Sequence, residues 1–361
     1  MKNRIFGLDL LRVAAIFFVL YGHSYDFIKS YVPYKFYSIL LTDGVTLFFV
    51  LSGFLIGSIL IQLIQNEQLV IHQCIRFFIY RWLRTIPAYF FVLSFLAIIF
   101  FIQHDAFPFE VSKYYFFIQN LYLPHPPFFP EAWSLSVEEW FYLLIPLLFF
   151  STAYIFKLPK RRHIVLALIS SVLILVTLYR VANTNNVGWT NINDWDNIFR
   201  KVVIYRLDAI MFGVLGAYFS FFNQSGWSAN KNILFISGVS LALITHVLGY
   251  MEIPFFIQYF LLTLHPISVL LMLPFLSLWH KSDSISSKII VFISLISYSM
   301  YLVNYSFVKI QVFSWAAPIY ESSLGYAVLS YILFWLLVIL ISILLHKFIE
   351  LPFMRLRKRF D

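Results

Sequence analysis

Two adjacent carboxylates, Glu138 and Glu139, stand in the run AWSLSVEEWFYLLIP at residues 132 to 146. The run is otherwise apolar enough to lie in a bilayer, where an ionisable side chain is costly and marks a functional site by default. Consecutive helical residues point about 100° apart, so the two carboxylates cannot serve one site; one is expected to face the protein interior and the other the headgroups. Ser134 and Tyr142, at i−4 and i+4 from Glu138, complete a polar stripe, and Trp133 opens the same segment. A second set lies near the start of the chain. Arg12 and His23 are eleven residues apart, nearly three turns, which puts them on almost one face and about 16 Å apart along the axis. Asp9, at i−3 from Arg12, can pair with it. His23 and Glu138 each fall about five residues from the same end of their helices, so a carboxylate–imidazole pair is geometrically open. A neutral imidazole there is suited to general-base work, with the carboxylate fixing its tautomer. The plainer reading is an interfacial Asp9–Arg12 pair and a hydrogen-bonded core histidine.

Other groups leave two readings open. Arg76, Arg81 and Arg84 precede an expected span at 86–104, and planar guanidinium groups suit phosphate or pyrophosphate, though anchoring at the membrane surface explains them equally well. Arg206 and Asp208 open a later span either as substrate contacts or as an interfacial ion pair. Trp189 and Trp195, among asparagines, either stack on a sugar or anchor the interface. No metal-ligand cluster, phosphate-cradling glycine loop or nucleophile elbow is visible.

The elements that carry these groups follow from composition. Of 361 residues 61% are apolar and 12% charged, with a mean hydropathy of +0.82, well above a soluble domain. About ten apolar runs mark spanning helices, near 8–28, 44–65, 86–104, 133–156, 163–181, 206–222, 233–250, 259–279, 289–308 and 327–349. The fold class is therefore an all-α polytopic transmembrane bundle. The N-terminal stretch carries Asp9, Arg12 and His23 and lacks a small-residue cleavage site, so it is read as the first helix rather than a signal peptide. Most of the 26 Lys and Arg residues fall in alternate connections, which places both termini in the cytoplasm by the positive-inside rule. The net charge of +9 is thus topology and not a nucleic-acid footprint. The lone Cys74 cannot form an intrachain disulfide. Residues 1–350 read as one membrane domain and 351–361 as a basic cytoplasmic tail. The connections 105–132, rich in proline, and 182–205, rich in asparagine, are long enough to contact a substrate.

Four segments, GLDLLRVAAIFFVLYGHS at 7–24, GVTLFFVLSGFLIG at 44–57, YRWLRTIPAYF at 80–90 and the 132–146 run, resemble the acyltransferase 3 family of polytopic membrane acyltransferases. YRLDAIMFGVLGAY at 205–218, ISYSMYL at 296–302 and IELPF at 349–353 look like later blocks of the same family. The resemblance implies a multi-pass protein of the bacterial inner membrane. Its acyl donor would be cytoplasmic acyl-coenzyme A, chiefly acetyl-coenzyme A, and no metal is implied. Its acceptor would be a hydroxyl of a lipid-linked or cell-surface saccharide such as O-antigen or exopolysaccharide. By analogy His23 is the essential histidine, Glu138 the acidic partner, and Arg12, Arg81 and Arg84 the arginines linked to coenzyme A. Asp9, Trp133, Ser134, Tyr142 and Arg206 become substrate-binding candidates. Thr46, Trp140 and Asn304 stand where many members carry Asp, Gln and His. The SGNH-type domain common in the family has no counterpart in this sequence, so a stand-alone form is expected, with acceptor handling by the bundle. The rival class is a transporter or flippase using the same Arg, His and Glu as a relay.

Overall fold

A computed structural model describes residues 4–66, 71–156, 162–184, 189, 192–280, 284–313 and 323–360. Ten principal helices appear among them. They are α1 (Phe6–Ser24), α2 (Gly44–Gln65), α3 (Ile71–His104), α4 (Ala132–Phe156), α5 (Arg162–Thr184), α6 (Leu207–Phe222), α7 (Lys231–Tyr250), α8 (Leu262–Ser277), α9 (Ile285–Val303) and α10 (Leu324–Leu345). Among the described residues nine helical stretches are long and apolar enough to cross a membrane, and α6, at 16 residues, is the shorter tenth. The chain is an all-α polytopic bundle and a multi-pass membrane protein. Helices close their own backbone hydrogen bonds, which is why such sequences fold this way in lipid. The outward faces carry Ile98, Ile102, Leu175, Ile236 and Leu340, apolar residues that water would penalise and acyl chains accept.

Packing is closest where α2 runs parallel to α6. A methyl group placed on Gly53 would lie 1.8 Å from the carbonyl oxygen of Ile210, and one on Gly213 2.0 Å from that of Val50. Only glycine lets the two backbones touch, the small-residue contact that holds membrane helices together where apolar burial gives no drive. The crossing fixes the starts of both helices side by side.

Two boundaries differ from the sequence expectation. Helix α3 begins at Ile71 rather than near 86, so Arg76, Arg81 and Arg84 lie within it and not ahead of it. The charges depress the hydropathy of that stretch, but the bundle receives them, with Arg81 meeting Glu138 and Tyr142. The chain beyond residue 350 is not a separate tail: helix continues from α10 through His346–Glu350 to Arg359, and the Arg357 guanidinium lies 5.9 Å over the Tyr80 ring of α3. Glu350 is buried and accepts from Ser299, with His346 Nδ1 at 2.7 Å from its other oxygen. The long connections also fold inward. Val203 N donates to Asn120 O at 3.0 Å and Asn120 Nδ2 to Lys201 O at 2.6 Å, tying the two together over one end of the bundle. Lys2, Lys157, Lys160, Arg161 and Lys281, which contributed to the charge bias, lie outside the described residues.

Gly53→Ala should lower stability by about 1–3 kcal/mol or more through overpacking. Gly249→Ala, whose added methyl would meet nothing nearer than 3.7 Å, should not. Thermal unfolding of the detergent-solubilised protein followed by size exclusion tests this; equal behaviour of the two variants would remove the crossing from its structural role.

Candidate active site

Helix α1 carries charge at one end and an imidazole at the other, and the bundle opens a chamber at each. Near its start Asp9 is almost fully buried and saturated: Arg4 binds it through Nε at 2.9 Å, Ser294 Oγ donates at 2.6 Å, and Arg12 Nη1 lies at 3.6 Å. The Asp9–Arg12 pairing expected from the i, i+3 spacing is present, and Asp9 acts on its neighbours rather than opening onto a cavity. Arg12 then lines a small chamber of about 80 Å³ with Arg81, Arg84, Ser134 and Glu138. Arg81 stacks 3.7 Å over the Tyr142 ring and approaches Glu138 Oε2 at 3.5 Å, while Tyr142 donates to the same oxygen at 2.5 Å. Arg84 has no ion-pair partner among the described residues.

The expected His23–Glu138 pair does not form. Helix ends fix depth but not rotation about the axis, and the stripe of Ser134, Glu138 and Tyr142 turns toward α3 and the small chamber, where Arg81 attracts the carboxylate. Glu139 faces inward as well, not to headgroups: Thr85 Oγ1 donates to it at 2.9 Å. Both carboxylates thus pack on α3, one turn apart.

His23 instead meets α9. Its Nδ1 lies 2.5 Å from Asn304 Oδ1. The amide's Nδ2 donates to the carbonyls of Tyr301, at 2.7 Å, and Met300, at 3.2 Å, so the amide is oriented and Oδ1 must face the imidazole as an acceptor. Nδ1 therefore carries the proton, and the basic lone pair is on Nε2, which no described residue occupies. Tyr305 packs edge-on against the ring at 4.6 Å. Asn304 opens a nine-residue π-helical stretch, Asn304–Val312, of the kind that concentrates at functional sites. The residue that breaks the family pattern is the one that holds the histidine.

His23 lines a second chamber of about 940 Å³, bordered also by Trp133, Glu131, Arg200, Arg206 and Tyr301. Glu131, just ahead of α4, is bound by the Ser306 amide at 2.9 Å and hydroxyl at 2.5 Å. Burial pushes its carboxyl up to about 7 against the pull of those bonds. Arg200 lies 4.9 Å over the Trp133 ring. Val45 and Tyr301 border both chambers, and the Tyr301 hydroxyl bonds Ser134 Oγ at 2.6 Å and Glu131 O at 3.0 Å. A neutral ring, with Val45 beside it, thus stands between a guanidinium cluster and an imidazole.

Arg206 and Asp208 do not pair with each other. Asp208 is bound by Arg180 Nη1 at 2.7 Å, deep in the bundle, while Arg206 Nη2 donates to Thr46 Oγ1 at 2.9 Å. Trp195 is buried in a cluster with Phe199, Tyr205 and Ile257 and lines the large chamber from it; Trp189 packs on the same cluster. Sequence reading missed Glu131, Arg200, Tyr301 and the use of Asn304. Only Asn304 gave a signal, as a departure from pattern.

The chain matches an acyltransferase domain over residues 5–347. It is 37% identical over 121 residues to peptidoglycan O-acetyltransferase OatA of Listeria monocytogenes, covering 28% of this chain and 19% of that protein. It is 27% identical over 354 residues to O-acetyltransferase OatA of Staphylococcus aureus, covering 86% of this chain and 52% of the relative. The chain thus spans about half the length, or less, of the curated relatives it matches. No solved structure matches significantly. With its match running through nearly every helix described above, the chain belongs to the acyltransferase 3 family.

Proposed function

We propose that the protein is an inner-membrane O-acyltransferase that moves an acetyl group from cytoplasmic acetyl-coenzyme A to a hydroxyl of a lipid-linked or cell-surface saccharide. The observation that carries this reading is the imidazole of His23, held by Asn304 with Nε2 left open, in a large chamber that meets the arginine chamber at Tyr301. Arg84, without a carboxylate partner among the described residues, and Arg12 beside it suit the phosphates of the donor. Glu138 and Tyr142 set the position of Arg81, so Glu138 supports donor binding rather than orienting the base.

In this scheme donor and acceptor approach from opposite ends of α1. The acceptor hydroxyl gives its proton to His23 Nε2 as its oxygen attacks the thioester carbonyl; the C–O bond forms, the C–S bond breaks, and the imidazolium returns the proton to the departing thiolate. Asn304 keeps Nδ1 protonated, so the ring offers its basic nitrogen to the chamber at every turnover. Proximity supplies the rest, because both substrates are bound across one partition and away from bulk water.

Labelled acetyl-coenzyme A and candidate saccharides, offered to the protein in proteoliposomes, test the scheme. His23→Ala should lower transfer by about 10²–10⁴-fold; undiminished transfer overturns the mechanism. Arg84→Ala should raise KM for acetyl-coenzyme A well above any change in KM for the acceptor, and equal changes would make the arginine a structural anchor. Asn304→Leu should cut kcat by about tenfold or more with both KM values unchanged, and Asn304→Asp, which keeps the acceptor oxygen, should recover part of that loss. Parallel loss in both would remove Asn304 from its positioning role.

A further inference from the structure

The large chamber is surrounded by cations, and all but one are matched. Arg200 is bound by Asp196 and by Asp43 at 3.4 Å. Lys201 lies 2.6 Å from Asp196, and Lys309 2.6 Å from Asp26. Arg180, behind the wall, takes Asp208. Glu131 is spent on Ser306, and Glu252 sits exposed at the rim. Arg206 is the exception. It lines the chamber, none of its surface is accessible, and its single hydrogen bond among the described residues is to the neutral hydroxyl of Thr46. Its Nε and Nη1 have no partner among the described residues. Thr46 in turn donates to Asp43 Oδ2 at 2.7 Å, but Asp43 already answers Arg200 and caps α2 through Val45 N and Thr46 N.

A buried guanidinium with unmet donors costs several kcal/mol unless something of opposite charge completes it. The backbone adds to the same field. Helix α6 starts at Arg206 with no side-chain cap, and its positive end lies beside that of α2 because Gly53 and Gly213 lock the two helices in parallel. Arg200 and Lys201 share Asp43 and Asp196, and Arg180 takes Asp208, so no carboxylate in this row is left to pair with Arg206; Glu131, on the same chamber, is held by the neutral Ser306.

We infer that the floor of the large chamber, at Arg206 and the start of α6, is an oxyanion subsite, and that the acceptor taken there carries a carboxylate or a phosphate. This rests on reading that chamber as the acceptor's side of the proposed transferase and narrows the saccharide to an acidic or phosphate-bearing one. Charge-assisted bonds from Arg206 recognise the anion, and the aromatic wall at Trp133 packs against the rest of the molecule.

The test is a binding measurement on the solubilised full-length protein, with coenzyme A present to saturate the arginine chamber and ionic strength held constant with chloride. Inorganic phosphate, glucuronate and glucose are titrated while thermal stability is followed. At least one of the two anions should stabilise the wild type saturably, and glucose should not. Thr46→Asp, which supplies the missing carboxylate from within, should weaken that response at least tenfold, and Arg206→Gln should do the same. A phosphate-only or glucuronate-only response upholds the subsite and names its group. No saturable response to either anion, or a Thr46→Asp protein that responds like wild type, overturns it. Because no turnover is read, failure of acetyl transfer would overturn the transferase reading and leave this result to stand or fall separately.

Discussion

A charge taken out of water inside an apolar bundle must be matched, and that requirement organises this protein more than any single fold element does. Asp9, Glu138, Glu139, Asp208 and Glu350 are each claimed by an arginine, a histidine or hydroxyl donors from another part of the chain. These contacts tie α1 to α9, α4 to α3, and α5 to α6. Two arginines that line chambers have no carboxylate partner among the described residues: Arg84 in the small one and Arg206 in the large one. Two separate deficits of negative charge suit two separate anionic ligands. That is an economical way for one bundle to hold a phosphate-bearing donor and an acidic acceptor on the proposed reading.

The matching works only because the helices are held rigidly. The α2–α6 contact brings backbone against backbone, so the relative rotation of the two helices cannot drift without carbonyl oxygens colliding with neighbouring Cα atoms. Their first residues, Gly44 and Leu207, then start at the same level, which sets Asp43, Thr46 and Arg206 in one hydrogen-bonded row. Close packing thus keeps a buried guanidinium beside a chamber, short of partners among the described residues, at an energetic cost.

Quantities that run along one helix were legible in the sequence. Hydropathy located ten helices, all but the start of α3 within a few residues, and the eleven-residue interval between Arg12 and His23 correctly assigned them to opposite ends of one buried stripe. Quantities that depend on rotation or on neighbours were not. Glu138 stands on the right helix and faces α3 rather than α1; Arg206 and Asp208 are two residues apart and choose different partners. The early start of α3 was hidden because Arg76, Arg81 and Arg84 lower the hydropathy of the stretch, and the carboxylate that meets Arg81 is 57 positions away. Asn304 is the instructive case. Read alone it weakens any scheme needing a second histidine, and only the contact across 281 positions shows an amide locked by two carbonyls into holding a tautomer.

The partition between the chambers carries a further physical consequence. Tyr301 is held by Ser134 and by a backbone carbonyl, all neutral groups, so moving the ring breaks hydrogen bonds but separates no ion pair. Each such bond contributes about 0.5–1.5 kcal/mol net, a barrier that binding of a large donor can offset, whereas pulling apart a buried salt bridge would cost about 3–5 kcal/mol. A charged partition between two cationic chambers would either seal them permanently or trap the first anion to arrive. A neutral one admits an uncharged arm while leaving each anion on its own side. On the proposed reading, in which a reactive acyl group must meet an alcohol and not water, that selectivity by charge matters as much as the imidazole, because it decides which parts of the two substrates meet at Nε2.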